Sequence, residues 1–212
     1  MKVKEAPSFN AVGNKSKRKS KTKKKDNQAK KIINQNFAEL AKQYLPKVIL
    51  DGPTLETTKT LIRAGHSARL IHIPNCSRPD YNAIKRIHPN TYFISMETFL
   101  NNQKKSKCKS GGIYLDYMCT LEGTDYCEPR KDLGIIFNNK LLAYGAPLFI
   151  TLSNPRHTKN GSPFMWQDVG KLINYINLLS QSNGYVLEIL DVGGPYKNGG
   201  QMYTYGFVVH KK

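Results

Sequence analysis

The sequence lacks the marks of several common protein classes. No apolar run approaches the roughly 20 residues needed to cross a bilayer as a helix, so no membrane partner is expected. The basic residues near its start are followed by no apolar stretch of the kind a secretory signal carries. Cysteine is sparse: Cys76, Cys108, Cys119 and Cys127, with no C-x-x-C pair among them. Structural zinc usually shows at least one close pair, so no metal is expected, and no local signature marks a Cys/His nucleophile pair. A reducing intracellular setting, nuclear or cytoplasmic, is the simpler reading of that cysteine usage. Acidic residues are also scarce, 15 Asp and Glu against 33 Lys and Arg, which leaves a formal net charge of +18.

Large apolar side chains are nearly missing from residues 1–31, where only Val3, Phe9 and Val12 occur. Ordering such a segment costs backbone entropy with little buried area in return, so a disordered basic arm is expected over 1–31 and a folded domain over 32–212. Twelve Lys and Arg fall in that arm against Glu5 and Asp26. Lys15, Lys17, Arg18, Lys19, Lys21, Lys23, Lys24 and Lys25 form a run suited to nuclear import or to holding nucleic acid; a solubilising tail would look the same. The rest of the chain is basic as well. A polyanionic partner, RNA or DNA, is therefore expected, because each phosphate contact releases condensed counterions. Richness in Lys, Asn and Ile points to an AT-rich genome, of the sort many viruses have.

Beyond residue 32 the pattern alternates. Phe37, Leu40, Ala41, Tyr44 and Leu45 recur at helical spacing before Pro46. Short apolar runs at 47–50, 68–73, 91–95, 112–117 and 147–152 read as strands, separated by helices at 53–64, 79–87, 97–102, 132–142 and 165–182, with a polar loop over 103–110. The last two strands, 185–192 and 202–209, have no helix between them and must form a hairpin. Strand–helix units imply a parallel sheet, since each parallel crossover needs a connection of helical length.

This order of elements, with a helix ahead of the first strand and a hairpin at the end, resembles the class I S-adenosylmethionine-dependent methyltransferases over roughly residues 33–212. The resemblance implies an α/β, Rossmann-like, doubly wound, mostly parallel sheet of seven strands in the order 3-2-1-4-5-7-6, ending in an antiparallel hairpin. It also implies S-adenosylmethionine as cofactor.

Ligands of doubly wound sheets bind at the carboxyl ends of the strands, beside the topological switch point. That rule selects Asp51, Gly52, Pro53 and Thr54 after the first strand, Pro74 and Asn75 after the second, Met96 and Glu97 after the third, and Asp116 at the end of the fourth as cofactor contacts. Asp51 and Gly52 match the family's first loop; its later glycines are missing, and Asp51 could equally be a structural acceptor. Asn75 stands where the family has an acidic residue for the ribose hydroxyls, and Glu97 could supply that carboxylate or simply start a helix. Asp116 and Tyr117 keep the polar–aromatic pair that amino-directed members use in catalysis, the first accepting from the target amine and the second stacking on the base; an Asp capping a turn is the plainer alternative. Tyr203, Tyr205 and Phe207 could stack on bases but more simply pack one face of a strand. The expected function is methyl transfer to RNA or DNA. The alternatives are a nucleic-acid-binding protein of the same fold without catalysis, and another nucleotide-binding protein of Rossmann-like fold.

Overall fold

Alternation within each strand divides the core in two. In the fourth strand Ile113 and Leu115 face one layer of helices and Tyr114 faces the other; Leu148, Ile150 and Phe149 repeat that split in the fifth. A sheet buried on both faces between helices is the result, a three-layer α/β/α sandwich. The computed structural model describes residues 21–153, 165–192, 196–197 and 201–212.

The elements in chain order are α1 (Lys21–Leu40), β1 (Lys47–Ile49), α2 (Glu56–Arg63), β2 (Ile71–Pro74), α3 (Arg78–Lys85), β3 (Thr91–Tyr92), α4 (Met96–Ser106), β4 (Gly112–Asp116), α5 (Pro129–Asn138), β5 (Ala146–Ser153), α6 (Met165–Ser182), β6 (Tyr185–Leu190), β7 (Tyr196–Lys197) and β8 (Gln201–Lys211). The strand order is β3-β2-β1-β4-β5-β8-β6. All pairs from β3 to β5 are parallel, and β8 runs antiparallel to both β5 and β6. With β8 as the seventh long strand this is the expected 3-2-1-4-5-7-6; the two-residue β7, paired to the start of β8, is an addition.

Several element bounds differ from expectation. Helix α1 ends at Leu40 and leaves Tyr44 exposed, and it begins at Lys21, so the boundary drawn at 31/32 falls inside a helix. The stripe responsible is Ile33, Phe37 and Ala41, all buried against the sheet. Phe37 sits edge-on to Phe149, ring centroids 5.2 Å apart, and 5.3 Å from Tyr114. Gly111 and Gly112 let the end of α1 seat directly on β4: a Cβ at Gly111 would stand 2.7 Å from the Leu45 Cβ. The third strand is only Thr91–Tyr92. Helix α4 runs on to Ser106 through the expected loop, because Gln103 takes the core position below Leu100 and donates to the Ser110 hydroxyl at 2.6 Å. Helix α5 spans Pro129–Asn138 rather than 132–142. Tyr205 packs against the core and Phe207 is buried within it, as the plainer account of that strand expects. No helix among the described residues is long and apolar enough to cross a membrane.

Candidate functional site

The switch point lies between β1 and β4, where the parallel sheet is wound in both directions from its centre. Beyond β1 the chain turns through Gly52, Pro53, Thr54 and Leu55, closed by Leu55 N–H donating to Gly52 C=O at 2.9 Å. Leu55 then takes a left-handed conformation (φ 55°, ψ 39°), the region glycine favours, with its side chain buried in the core. Such a conformation costs a leucine about 1–2 kcal/mol, which burying its side chain offsets. The turn therefore keeps a left-handed residue without the expected glycine. At Gly52 a Cβ would meet nothing within 4 Å, so the backbone is open to a ligand there. Thr54 is exposed and Pro53 half-buried beside it.

Asp51 points inward from this turn. Its carboxylate accepts from Thr58 N–H at 2.8 Å, in the first turn of α2, and from Gly52 N–H at 3.1 Å. Burial pushes its pKa up; the Thr58 hydrogen bonds and the Lys30 charge oppose that rise, and the charge on Asp116 adds to it. Asp51 thus serves the turn, and both its oxygens are committed to backbone.

Asp116 closes β4 at the same edge, opposite Thr151 of β5. Its Oδ2 accepts from Lys30 Nζ at 2.6 Å. The same ammonium donates to the Tyr114 hydroxyl at 3.1 Å and lies 4.9 Å from that ring's centroid. A lysine of α1 therefore reaches over the switch point and joins Asp51, Asp116 and Tyr114 into one electrostatic group. Helix α1 is held there by Asn34, whose side-chain oxygen accepts from the Thr57 hydroxyl at 3.2 Å. Lys30 was missed in the sequence because it was counted into the arm. Its signal was present, since residue 30 shares the helical stripe of Ile33, Phe37 and Ala41.

The other expected contacts follow β2 and β3. Pro74 is buried and Asn75 half-buried; the Asn75 side-chain oxygen accepts from Ser77 N–H at 2.8 Å and shapes the entry to α3. Met96 is packed in the core, and Glu97 pairs with Lys131 of α5 at 3.0 Å. Tyr117 follows the end of β4, lies buried and donates to Asp132 Oδ2 at 2.5 Å. It has no open face on which to stack a base. Of the basic run, Lys15, Lys17, Arg18 and Lys19 lie outside the described residues, as does the loop after β5 from Asn154; Lys21, Lys23, Lys24 and Lys25 fall in the first turns of α1.

Asp132 itself is a perturbed carboxyl. Burial raises its pKa to about 7, the Tyr117 hydroxyl opposes the rise, and the charges of Glu97, Cys127 and Glu128 add to it. Its Oδ1 is buried with no partner. A raised folded-state pKa means that the folded chain binds this proton more tightly than the unfolded one, so the stability it confers is present in acid and lost as pH rises through about 7. Wild-type stability is expected to fall between about pH 4 and 8, relative to Asp132→Asn, by on the order of 3 kcal/mol. Urea melts of both proteins across that range check it; parallel curves would mean that Asp132 titrates normally.

Many solved structures share this architecture, and three of them illustrate the range. A protein of Clostridium thermocellum assigned as an rRNA-methylase matches with a TM-score of 0.51 and 10% identity, over 83% of this chain and 94% of that one. The plantazolicin methyltransferase BamL, solved with a substrate analogue and SAH, matches at 0.57 and 9% identity, over 90% and 88%. The CcbJ methyltransferase of Streptomyces caelestis matches at 0.53 and 12% identity, over 86% and 90%. No family model matches the sequence, and no curated protein matches it either. At such identities the likeness is one of fold.

Proposed function

From a chain that carries the Rossmann-like fold of the class I S-adenosylmethionine-dependent methyltransferases, we propose a methyl transfer enzyme that uses S-adenosylmethionine and acts on RNA or DNA. The observation that carries this reading is the grouping of Asp116, Lys30 and the open backbone of Gly52 at the switch point between β1 and β4. The pieces suit a zwitterionic, cationic cofactor. Gly52 leaves room for close approach, Lys30 offers an ammonium to a carboxylate, and the amide of Asn75 can hydrogen-bond a ribose hydroxyl without charge assistance. When bound, the cofactor supplies a methyl group already activated by its sulfonium. The protein's own part is alignment. Lys30 would hold the cofactor's carboxylate, and the Asp116 carboxylate would accept a hydrogen bond from the N–H or O–H of the acceptor and orient its lone pair. Nucleic acid is favoured as acceptor by the +18 charge, and the assignment of the Clostridium thermocellum neighbour is in keeping with it.

A second reading is a nucleic-acid-binding protein of the same fold that no longer catalyses. Two observations favour it: the Asn75 oxygen is already spent on the Ser77 amide, and Lys30 already holds Asp116. Titration with S-adenosylhomocysteine separates the two. At about 100 times its Kd a ligand of the folded state stabilises by about 2.7 kcal/mol, which raises the Tm of a chain this long by about 5–10 °C. Lys30→Met is expected to weaken that binding by about 10–100-fold, the loss of one charge-assisted hydrogen bond. A wild-type Tm that stays flat up to millimolar ligand would sink the enzyme reading.

A further inference from the structure

The connection from β4 to α5 carries two thiols that the methyl-transfer reading does not use. Cys119 is buried against the core, and its carbonyl accepts from Ser153 N–H at 3.0 Å, which fixes it to β5. Cys127 is half-buried, eight residues on, and is brought back by a tight reversal. Thr124 N–H donates to Cys127 C=O at 2.8 Å and Cys127 N–H to Thr124 C=O at 3.3 Å. Gly123 makes the reversal possible. It lies at φ 81°, and a Cβ there would stand 2.4 Å from the Cys127 carbonyl oxygen. The outcome is an Sγ–Sγ separation of 2.7 Å between Cys119 and Cys127. Two sulfurs that are not bonded to each other rest farther apart than that. The other thiols differ: Cys108 is exposed, and the half-buried Cys76, ahead of α3, donates to the Tyr126 carbonyl at 3.9 Å.

We infer that Cys119 and Cys127 are a modification site, a thiol pair that oxidises reversibly to an intrachain disulfide by exchange with a low-molecular-weight disulfide such as glutathione disulfide. Access and acidity order the two steps. Cys127 is the more exposed, and hydrogen bonds from Cys119 and Thr124 draw its pKa down to about 7, so it supplies the attacking thiolate. Cys119 is pushed the other way by its hydrogen bond to Cys127 and by burial, so it resolves. The Cys127 thiolate attacks one sulfur of the external disulfide, forms a mixed disulfide and expels one glutathione thiolate. Cys119 then gives its proton to that thiolate, attacks the Cys127 sulfur and expels the second glutathione. Two protein thiols lose two electrons, and one external disulfide becomes two thiols. The ring that closes spans 119–127 and begins three residues after Asp116, so oxidation pins the loop beside the switch point. The inference stands apart from the methyl-transfer proposal, because its readout is covalent.

The test uses the full chain. Reduced protein is exposed to glutathione disulfide, quenched with N-ethylmaleimide, digested and mapped by mass spectrometry. The expected product is two hydrogens lighter, contains a Cys119–Cys127 cross-linked peptide, and still takes the alkylating agent at Cys76 and Cys108. Backbone amides within 120–126 are expected to exchange at least about 10-fold more slowly in the oxidised form. Dithiothreitol should reverse both changes. Cys119→Ser should stop at a stable glutathione adduct on Cys127, and Cys127→Ser should leave Cys119 unmodified. Alkylation of all four cysteines after oxidation, or cross-links to Cys76 or Cys108, would overturn the assignment. A glutathione adduct on Cys119 in Cys127→Ser would overturn the order of attack. The wild-type map stands even where a serine variant fails to fold.

Discussion

Asp116→Asn is expected to slow methyl transfer by about 10²–10⁴-fold, the span usual for a positioned acid–base group. The side chain keeps its shape and one acceptor oxygen, so it can still meet Lys30 and the end of β4 stays in place. What it loses is the charge that, in the proposed mechanism, draws an acceptor proton and orients the lone pair behind it. The ion pair to Lys30 is part-exposed at both ends, and breaking such a pair changes stability by no more than about 1 kcal/mol. Affinity for S-adenosylhomocysteine should be nearly unchanged, because the Asn oxygen still holds Lys30 in place. The measurement is single-turnover transfer of labelled methyl to total cellular RNA and to DNA, run beside a cofactor titration. Wild-type rates in the variant would remove Asp116 from the mechanism. Lost cofactor binding with an intact melt would mean that Asp116 holds the cofactor rather than the acceptor.

The second large effect concerns the basic run. Changing Lys15, Lys17, Arg18, Lys19, Lys21, Lys23, Lys24 and Lys25 together to Gln should abolish most non-specific nucleic-acid affinity. Each phosphate neutralised contributes about −0.9 to the slope of log K against log salt on duplex DNA, so losing five or six contacts flattens the slope by about 5. At low salt the loss in affinity should be about 10³-fold or more. Charge replacement is the better probe than truncation. A chain cut at residue 32 would also lose Lys30, which pairs with Asp116. The melting temperature should hold, since the fully buried apolar residues of α1 among those described, Ile33, Phe37 and Ala38, are left unchanged. Salt titrations of both proteins on a random-sequence oligonucleotide decide it. An unchanged slope would place the electrostatic anchor on the folded domain instead.

Much of the fold could be read from the sequence because its signals are local. Apolar runs such as Lys47–Ile49 and Ala146–Ser153 are bounded by turn residues, and the apolar stripe of the last long helix repeats at helical spacing. What escaped depends on tertiary context. Gln103 looks like loop, yet it completes the buried face of α4 by bonding Ser110. Lys30 looks like arm, yet Asp116 and the Tyr114 ring give its charge and its stem a place to rest. Within the site, Asp116 was legible as the polar end of an apolar strand. The burial of Tyr117 was not legible, because it depends on Asp132, which α5 brings to it. The inward turn of Asp51 onto Thr58 could not be foreseen from a motif, since the same residue fits a capping role and a ligand role equally well.

The position of β8 bears on how the chain is made. In space it lies between β5 and β6, yet it follows both in sequence. During synthesis β5 and β6 therefore emerge before the strand that joins them, and each holds an unpaired edge until β8 arrives. Val186 and Ile189 leave β6 with exposed apolar residues during that wait. The last step in closing the sheet is an insertion, and it links residues as far apart as Ala146 and Val209. Non-local pairing of this kind is slow. A nascent chain stalled before β8 should therefore be a ready client for chaperones, with β5 and β6 as the surfaces they hold.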